Sequence, residues 1–510
     1  MDFASALRNG DQFYQSGQAE AARLAWVAAY GAAESPGDLL AVTNRFLSLG
    51  FLTEAETALG RLPVDEPSPP VLAARAALAL ERGHVGEART LFEQGLPLQH
   101  LRMMSNALLV RHYETPIDTL ALLQASRQWA DIARAQVPTI EAPKTSLGAG
   151  AKNRLRIGFV SGDLCAHPVG FLIAPLLRAF HARADEVDIF VFDNGIQNDW
   201  MTAQLKAHCK PDHWYAIAGL GNEEASRLIA SCHLDALIDG SGHTSRSRLP
   251  LFVNRLAPLQ ISWGGYFSTT GLDTIDAVVM DDGHLAQGID AYFTEKLLRV
   301  PSRFIYAPPS FCPPVTDVPY FRFGAITFGS FSNIAKINEG VSSAGSCILR
   351  RVERSRLILK WRCFADPDFC DALRMRFAWY GVDPDRIELR PFSIYRDTLA
   401  EYRDIDIALD PFPFTGGQTS LDALWMGVPL VTLAGFTPVE RQGHAFVNLI
   451  GRADWSVTDP GTYVKKAVAL ARDPNRLREM RFDQRSSIHQ SKLSDAAAFV
   501  ALLINFVRNY

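Results

Sequence analysis

The chain is 510 residues long, which predicts roughly two to four domains, each large enough to bury its own core. A net charge of −4, with no stripe of basic residues, argues against a nucleic-acid-binding surface. The seven cysteines are odd in number and form no CxxC pair, so they predict reduced thiols and neither a disulfide framework nor a zinc site. The chain shows neither an apolar run of about 20 residues nor a signal-peptide pattern, so we expect a cytoplasmic protein without a membrane span.

Residues 1–138 are rich in Ala and Leu and contain a repeat. Three glycines lie 33 residues apart, and each is followed by an alanine and then by a large apolar residue at the same spacing. The three sets are Gly17, Ala22 and Trp26; Gly50, Ala55 and Leu59; and Gly83, Ala88 and Phe92. A period near 34 with this pattern predicts tetratricopeptide-like helix pairs, and a generic helical domain is the alternative. Because such a stack offers a concave surface, we expect it to bind a protein or peptide.

The chain beyond the repeats alternates between short apolar strands and helices, which predicts two doubly wound α/β lobes. The predicted strands are 155–160, 187–192, 236–239, 259–263 and 277–280 in the first lobe, and 325–329, 357–360, 386–389, 406–409 and 430–433 in the second. The predicted segments are 1–138 (helical repeats and connector), 139–153 (polar linker), 154–306 (first Rossmann-like lobe), 307–319 (Pro-rich linker), 320–474 (second Rossmann-like lobe) and 475–510 (C-terminal helical segment).

The stretch 409–432, LDPFPFTGGQTSLDALWMGVPLVT, is predicted to leave a buried strand, pass through a Gly-rich loop and begin a helix near Thr419. Gly416 and Gly417 lack the Cβ atoms that would keep a ligand away from the backbone. Thr419 and Ser420 are predicted to cap the helix, with Asp422 in its first turn. Because a helix start carries partial positive charge, this segment suits an anion such as a diphosphate, and an ordinary strand-to-helix turn is the alternative.

Four motifs resemble, in their order along the chain, the family of O-GlcNAc transferases and SPINDLY proteins. They are RIGFVSGDLCAHPVGF, APLQISWGGYFSTTG, AITFGSFSNIAKIN and the stretch 409–432, and the resemblance covers roughly residues 100–510. It implies two Rossmann-like lobes of the GT-B type behind an all-α tetratricopeptide-like repeat domain. It also implies that the acceptor belongs to the first lobe and the nucleotide-sugar donor to the second.

The resemblance further implies which residues act. His167 matches the family's active-site histidine, and Lys336 matches its essential lysine, whose charge would stabilise a departing nucleoside diphosphate. The residues expected to bind the donor are Asn333, Lys336, Gly416, Gly417, Gln418, Thr419, Ser420, Asp422 and Arg441, with His444 nearby. Asp163 and Tyr266 are expected on the acceptor or sugar side. Asp239, His243 and Thr244 are expected there too, because they lie in the Gly-rich loop LIDGSGHTSRSR that follows a predicted strand. For the loop from Asp239 to Thr244, a simple polar turn is the alternative.

Asp404 and Asp406 have the spacing of the DxD motif of metal-dependent glycosyltransferases. They stand at the entry to a strand and are followed by apolar residues, so we interpret them as structural. We therefore expect no metal site and no cofactor, with the nucleotide-sugar acting as a co-substrate.

Three departures from the family pattern leave the donor open. Thr398 stands where the family commonly has a histidine on the uridine side, Gln418 where the animal enzymes have another, and Phe267-Ser268 replaces a usual Pro-Gly step. The favoured activity is inverting, metal-independent transfer of N-acetylglucosamine from UDP-GlcNAc to protein Ser or Thr. The alternatives are UDP-glucose with an Asn acceptor, GDP-fucose, a CMP-nonulosonic acid, a non-catalytic binding scaffold and a nucleotide-sugar epimerase. A homo-oligomer is compatible with each.

Overall fold

The computed structural model describes residues 2–62, 68–140 and 154–510, and the predicted linker at 139–153 lies almost wholly outside them. The chain forms two compact units. Unit 1 comprises Met1–Thr115, Phe311–Ala434 and Asp454–Asp483. Unit 2 comprises Pro116–Ser310, Gly435–Ala453 and Gln484–Tyr510.

Unit 1 begins with helices that pack in pairs. They are α1 (Phe3–Gln15), α2 (Ala19–Gly31), α3 (Pro36–Leu49), α4 (Leu52–Gly60), α5 (Pro69–Glu81), α6 (Val85–Gln94) and α7 (Leu101–Val110). The first three pairs turn at Gly17, Gly50 and Gly83, whose φ angles of +77°, +81° and +76° favour glycine. The other repeat positions are all buried: Ala22, Ala55, Ala88, Trp26, Leu59 and Phe92. The predicted helical repeat is therefore confirmed.

Unit 2 contains a seven-stranded parallel sheet in the order β3-β2-β1-β4-β5-β6-β7. Its elements in chain order are α8 (Thr119–Gln136), β1 (Leu155–Ser161), α9 (Pro168–His181), β2 (Val187–Asp193), α10 (Trp200–Lys206), β3 (Trp214–Ala216), α11 (Asn222–Ser231), β4 (Ala236–Asp239), β5 (Leu259–Ser262), β6 (Ala277–Met280) and β7 (Lys296–Arg299). Val160 pairs in register with Asp239, so the loops that follow β1 and β4 start side by side. In open parallel sheets ligands bind where the strand order reverses, as it does here.

The second sheet belongs to unit 1 and has the order β10-β9-β8-β11-β12-β13, again with parallel strands. The remaining elements of the chain are α12 (Tyr320–Phe323), β8 (Ile326–Ser330), α13 (Glu339–Arg351), β9 (Ser355–Lys360), α14 (Pro367–Trp379), β10 (Ile387–Arg390), α15 (Tyr395–Glu401), β11 (Ile407–Leu409), α16 (Gln418–Trp425), β12 (Leu430–Leu433), α17 (Gln442–Leu449), β13 (Ser456–Val457), α18 (Pro460–Ala471), α19 (Pro474–His489) and α20 (Ala496–Asn509). The strand order reverses between β8 and β11, and the motifs that contain Lys336 and Gly416 follow these two strands.

Within unit 1, the second and third helix pairs pack against the segment that follows β9. The backbone N–H and the hydroxyl of Thr53 both donate to Asp366 Oδ2, each at 2.8 Å. Trp361 Nε1 donates to Glu81 Oε2 at 2.9 Å. These hydrogen bonds join residues about 300 positions apart in the sequence, so the repeats and the second sheet are one packed body.

All ten predicted strands are present, with their ends displaced by at most two residues. The sequence analysis does not predict β3, β7 and β13, because β3 and β13 are three and two residues long and β7 is only partly buried. The C-terminal segment is helical as predicted. Of the described helices, none is both long and apolar enough to cross a membrane.

Candidate active site

Lys336 lies at the carboxyl edge of the second sheet, in a short 3-10 turn (Ile334–Lys336) after β8. Asn333 begins this turn, and its side-chain oxygen accepts from the N–H of Ala335 at 2.9 Å. The Lys336 ammonium donates to the backbone carbonyl of Thr415 at 2.9 Å and lies 4.0 Å from the centre of the Phe414 ring. Burial lowers the pKa of Lys336 to about 8, although the nearby Asp410 carboxylate opposes this change. The structure therefore joins Lys336 to the predicted Gly-rich loop.

Asp410 organises that loop, a role that was not predicted from the sequence. Its Oδ1 accepts from the N–H of Gly416 at 2.7 Å and from the hydroxyl of Ser420 at 2.9 Å, and its Oδ2 accepts from the hydroxyl of Thr432 at 2.7 Å. Burial raises the pKa of Asp410 to about 6. A Cβ on Gly416 would lie 2.2 Å from Ser420 Oγ, so a residue with a side chain would disturb this arrangement.

The start of α16 differs from its prediction. The helix begins at Gln418, and the residue before it, Gly417, takes the N-cap position without a side-chain hydrogen bond. Thr419 and Ser420 are therefore the second and third residues of the helix and not its caps, and Asp422 lies beyond the first turn. The physical reason is that Asp410 engages the Ser420 hydroxyl. The predicted strand–loop–helix order is nevertheless present, with the glycines at the helix start.

Gln418 and Asp422 contact each other and a tyrosine. Gln418 Nε2 donates to Asp422 Oδ1 at 2.9 Å and to the Tyr395 hydroxyl at 3.1 Å, and that hydroxyl donates to Asp422 Oδ1 at 2.9 Å. Asp422 is buried, so its visible role is to orient Gln418 and Tyr395. Thr398, which replaces the family's histidine, pairs with the Ser393 hydroxyl at 2.9 Å.

A small cavity of about 10 Å³ lies between the ends of β8 and β11 and the start of α16. Its polar lining includes Ser330, Ser332, Asp410, Thr419 and Ser420. Ser330 Oγ is buried and has no hydrogen-bond partner within the part of the chain that the structure describes. A buried hydroxyl in this state favours a polar partner beside it, and the cavity has room for about one water molecule.

His167 belongs to unit 2 and stands at the N-cap of α9, after β1. Its Nδ1 accepts from the N–H of Val169 at 3.3 Å and lies 3.9 Å from Asp163 Oδ1, while 43% of the side chain stays exposed. Burial lowers the pKa of His167; the Asp163 carboxylate opposes this change and Arg246 adds to it. A neutral imidazole that accepts at Nδ1 carries its proton on Nε2, so it presents a donor to a ligand.

The loop that follows β4 is held from inside unit 2. Asp239 accepts from the N–H groups of Ser241 and Gly242 at 3.1 and 2.8 Å, and burial raises its pKa to about 6. His243 is fully buried, with a ring nitrogen 2.9 Å from the Thr270 carbonyl oxygen, and burial lowers its pKa to about 4. Asp239 and His243 therefore shape the loop in this structure.

Of the other two predicted acceptor-side residues of this region, Tyr266 is buried and Thr244 is partly exposed. The Tyr266 ring packs edge-on against His243, with the ring centres 5.3 Å apart. Thr244 Oγ1 is buried and has no hydrogen-bond partner among the described residues. Contact of these residues with an acceptor stays a prediction.

Arg441 and His444 lie in unit 2, whereas the sequence analysis places them in the lobe of the second sheet. Arg441 donates to the backbone carbonyls of Gly283 and Gly435 at 3.1 and 3.0 Å. Burial lowers the pKa of Arg441 and also lowers that of His444 to about 4. Arg441 thus fixes two loops, and its contact with a donor stays a prediction.

Asp404 and Asp406 have structural partners. Asp406 is buried and accepts from the N–H groups of Tyr320 and Thr327 at 3.1 and 2.7 Å. Asp404 pairs with Arg390 at 2.9 Å. These contacts agree with the interpretation of the pair as structural, and metal independence itself stays a prediction.

The sequence profile named "Glycosyl transferase family 41" matches residues 132–307 and 320–503 of the chain. A Petunia hybrida protein described as a probable UDP-N-acetylglucosamine–peptide N-acetylglucosaminyltransferase SPINDLY is 33% identical over 367 residues, which are 70% of this chain and 39% of that protein. The Oryza sativa protein of the same description is 32% identical over 76% of this chain and 42% of its own length. The chain thus spans about two fifths of the length of these curated relatives.

A solved structure matches almost the whole chain. It is that of a lysine-to-methionine variant of the Thermobaculum terrenum O-GlcNAc transferase, with 29% sequence identity and a TM-score of 0.87. The match covers 99% of this chain and 96% of that one. This likeness confirms the predicted fold, and together with the sequence matches it confirms the resemblance on which the site residues were placed.

Proposed function

Because the chain belongs to glycosyl transferase family 41, we propose that it is a glycosyltransferase that moves a sugar from a nucleotide-sugar to a protein. The observation that carries this proposal is the arrangement of Lys336, held at the carboxyl edge of the second sheet against Phe414 and the Thr415 carbonyl. The curated relatives are described as peptide N-acetylglucosaminyltransferases that use UDP-N-acetylglucosamine, which supports that donor here.

The proposed reaction is a single displacement that inverts the anomeric carbon. The acceptor oxygen forms a bond to that carbon while the bond to the diphosphate oxygen breaks, and the acceptor loses its proton. Negative charge grows on the departing nucleoside diphosphate, and a preorganised ammonium group stabilises it. Lys336 supplies this charge, with the start of α16 as a second source of positive potential. Ser and Thr hydroxyls are the proposed acceptors.

The side chains of unit 2 are assigned to the acceptor and sugar. His167 has an exposed face, and the hydrogen bond at Nδ1 leaves Nε2–H as a donor that can orient a sugar or phosphate oxygen. In this assignment His167 orients the ligand, and a different group acts as the base that takes the proton from the acceptor. The helical repeats are proposed to recognise the protein acceptor, and the cytoplasmic location remains our expectation.

The test is release of nucleoside diphosphate from a donor panel, with and without peptides that contain Ser, Thr or Asn. The panel is UDP-GlcNAc, UDP-glucose, GDP-fucose and a CMP-nonulosonic acid, for which CMP is the product measured. We expect peptide-dependent release from UDP-GlcNAc, intact mass showing the sugar on Ser or Thr, and unchanged rates in EDTA. Thermal shift ranks binding, since a ligand at 100 times its dissociation constant stabilises by about 2.7 kcal/mol.

The matched variants are Lys336→Ala and Lys466→Ala. Lys336→Ala should lower turnover by about 10²-fold or more, as expected when one charge-stabilising group is lost. Lys466 lies on α18 and pairs with Asp454 at 3.3 Å, so its replacement should leave turnover unchanged. Near-normal turnover in Lys336→Ala would refute the assigned role. Nucleotide binding without release from any donor would favour the scaffold alternative, and activity restored by Mn²⁺ after EDTA would contradict metal independence.

A further inference from the structure

Phe414 touches both the donor-side lysine and the helical region of unit 1. The Lys336 ammonium lies 4.0 Å from the centre of the Phe414 ring. The Tyr113 ring, just after α7, lies 4.8 Å from the same ring, with 42° between the two planes. Phe414 is itself buried. A residue of the N-terminal helical region is therefore separated from Lys336 by one aromatic side chain.

A second contact reaches the same place from α5. The turn residue Gly83 lies against the turn that contains Lys336, so that a Cβ built on Gly83 would be 3.4 Å from the carbonyl oxygen of Ile334. Two residues earlier, Glu81 accepts from Trp361 and pairs with Arg362 at 3.1 Å. These contacts fix the helices against the loops that surround Lys336, and none of them involves a residue proposed to touch the donor.

We propose that Tyr113 is a positioning residue which holds the Phe414 ring against the Lys336 ammonium, so that the helical region sets the place of the donor-side lysine. This inference gives the N-terminal helices a role besides acceptor recognition. The effect of this contact on sugar transfer rests on the proposed function, whereas the contact among Tyr113, Phe414 and Lys336 does not depend on it.

The Phe414 ring and its surroundings affect the charge of the Lys336 ammonium. A cation on the face of an aromatic ring is attracted by the ring's quadrupole, and the attraction grows when water is excluded. Two packed rings exclude water on this side of Lys336, in agreement with the burial that lowers its pKa to about 8. The Asp410 carboxylate raises the pKa of Lys336, and Arg376 donates to the carbonyl of the neighbouring residue Ile337 at 3.1 Å. Glu81, on the helical side, is paired with Arg362.

The experiment compares Tyr113→Ala, Tyr113→Phe and Phe92→Leu in the full chain. Phe92 is a buried residue of α6 in the core of the third helix pair, so Phe92→Leu controls for general loosening of the repeats. Lysine amines labelled by reductive methylation with ¹³C report their titration by NMR, and Lys336→Met assigns the signal. We expect Tyr113→Ala to raise the pKa of Lys336 by about 0.5 unit or more, because burial is the largest influence on this pKa and its relief by water outweighs the weakened attraction of the Phe414 ring. The other two variants should match the parent chain, and a fall of the pKa in Tyr113→Ala would contradict the exclusion of water by the two rings.

A kinetic readout follows the same comparison. In Tyr113→Ala the fall of kcat/KM at alkaline pH should move to higher pH, together with the pKa of Lys336. In Tyr113→Phe, the pH of this fall and the pKa of Lys336 should equal those of the parent chain. Unchanged Lys336 titration in Tyr113→Ala would overturn the proposal, as would an equal change in Phe92→Leu. If Tyr113→Ala does not fold, Tyr113→Leu is measured instead; leucine is shorter than the tyrosine ring and leaves part of its space to water, so a smaller change in the same direction is expected. Because the titration needs no turnover, it decides this inference even if no donor is used.

Discussion

Lys336 is a cation whose nearest partners carry no full charge. Its ammonium contacts the Thr415 carbonyl and the Phe414 ring, whereas the Asp410 carboxylate is taken up by Gly416, Ser420 and Thr432. Burial without a dedicated counter-ion lowers the pKa of Lys336 to about 8. An ammonium in this setting gains more from an arriving diphosphate than a solvated surface lysine would.

The first prediction at this scale concerns pH. A lysine is positively charged below its pKa, so the charge of Lys336 is present in the free protein at neutral pH and is lost as pH rises through about 8. We expect kcat/KM, which reports the free protein, to fall through that range. Bound diphosphate raises the pKa of a neighbouring lysine, so kcat should fall at a higher pH than kcat/KM. Measured pH profiles of both constants check this order.

Lys336→Arg is the control for the pH profile. An arginine keeps its charge beyond pH 12, so whatever activity this variant retains should show no fall near pH 8. A fall that persists in Lys336→Arg would assign the titration to another group.

The second prediction contrasts two buried aspartates on either side of β11. Asp410→Asn leaves the N–H of Gly416 and two hydroxyls facing an amide, so we expect a loss of about 1–3 kcal/mol in unfolding free energy and of at least about tenfold in donor affinity. Asp406→Asn disturbs two backbone N–H groups at the other end of the strand and should cost stability only. Chemical denaturation and titration calorimetry with the nucleotide measure both. An equal loss of affinity in the two variants would mean that Asp410 acts through stability alone.

At the scale of elements, the repeat glycines differ in what surrounds them. Gly17 and Gly50 have nearly the same left-handed φ angle, +77° and +81°. A Cβ on Gly17 would meet nothing within 4 Å, whereas a Cβ on Gly50 would lie 2.0 Å from the Arg362 carbonyl oxygen. The second helix pair therefore approaches the segment after β9 so closely that only glycine fits at its turn.

We expect the variants Gly17→Ala and Gly50→Ala to lose different amounts of unfolding free energy. Gly17→Ala carries only the cost of the left-handed backbone, about 1–2 kcal/mol of unfolding free energy. Gly50→Ala adds an overlap with a backbone carbonyl and should lose about 1–3 kcal/mol more. Urea denaturation of the full-length variants measures the difference. Equal losses would show that the contact between Gly50 and Arg362 relaxes without cost.

The same elements show what the sequence can and cannot predict. The strands and repeats can be predicted from the sequence because they depend on local patterns: apolar runs, the spacing of glycines and the alanines that become buried, such as Ala22. The start of α16 was mispredicted because Ser420 has a cap-like side chain that Asp410, ten residues earlier, engages instead. The ring of His243, which follows a strand end, packs on Trp129 of α8, a contact that no local pattern reveals, and its place on the acceptor side stays a prediction.

At the scale of the whole molecule, unit 1 is assembled from segments that are far apart in the sequence. The helical repeats and the second sheet are separated along the chain by the entire first sheet, yet Thr53, Glu81 and Tyr113 contact residues beyond position 360. A role for the repeats in acceptor binding alone would not require these contacts. They imply that the repeats also support the fold around the loop that contains Gly416.

The last prediction separates these two roles by truncation. A chain that starts at Leu98 loses Thr53, Glu81 and Gly83, which leaves the Asp366 carboxylate and the Trp361 N–H without their partners and opens the turn beside Ile334. We expect this chain to be less stable and to bind the nucleotide more weakly than the full chain, because the packing of the removed helices on the segments beside Lys336 is lost and that surface becomes exposed to water. Thermal shift with the nucleotide measures both quantities.

The matched control starts at Ser35, the N-cap of α3, and lacks only the first helix pair. The contacts of unit 1 described for Thr53, Glu81, Gly83 and Tyr113 all remain in this chain, so it should bind the nucleotide as the full chain does. This chain should instead bind a protein acceptor less well at low acceptor concentration, since part of the repeat surface proposed to recognise the acceptor is gone. A soluble chain from Leu98 with unchanged nucleotide affinity would show that the repeats are separable from the donor side and serve the acceptor alone.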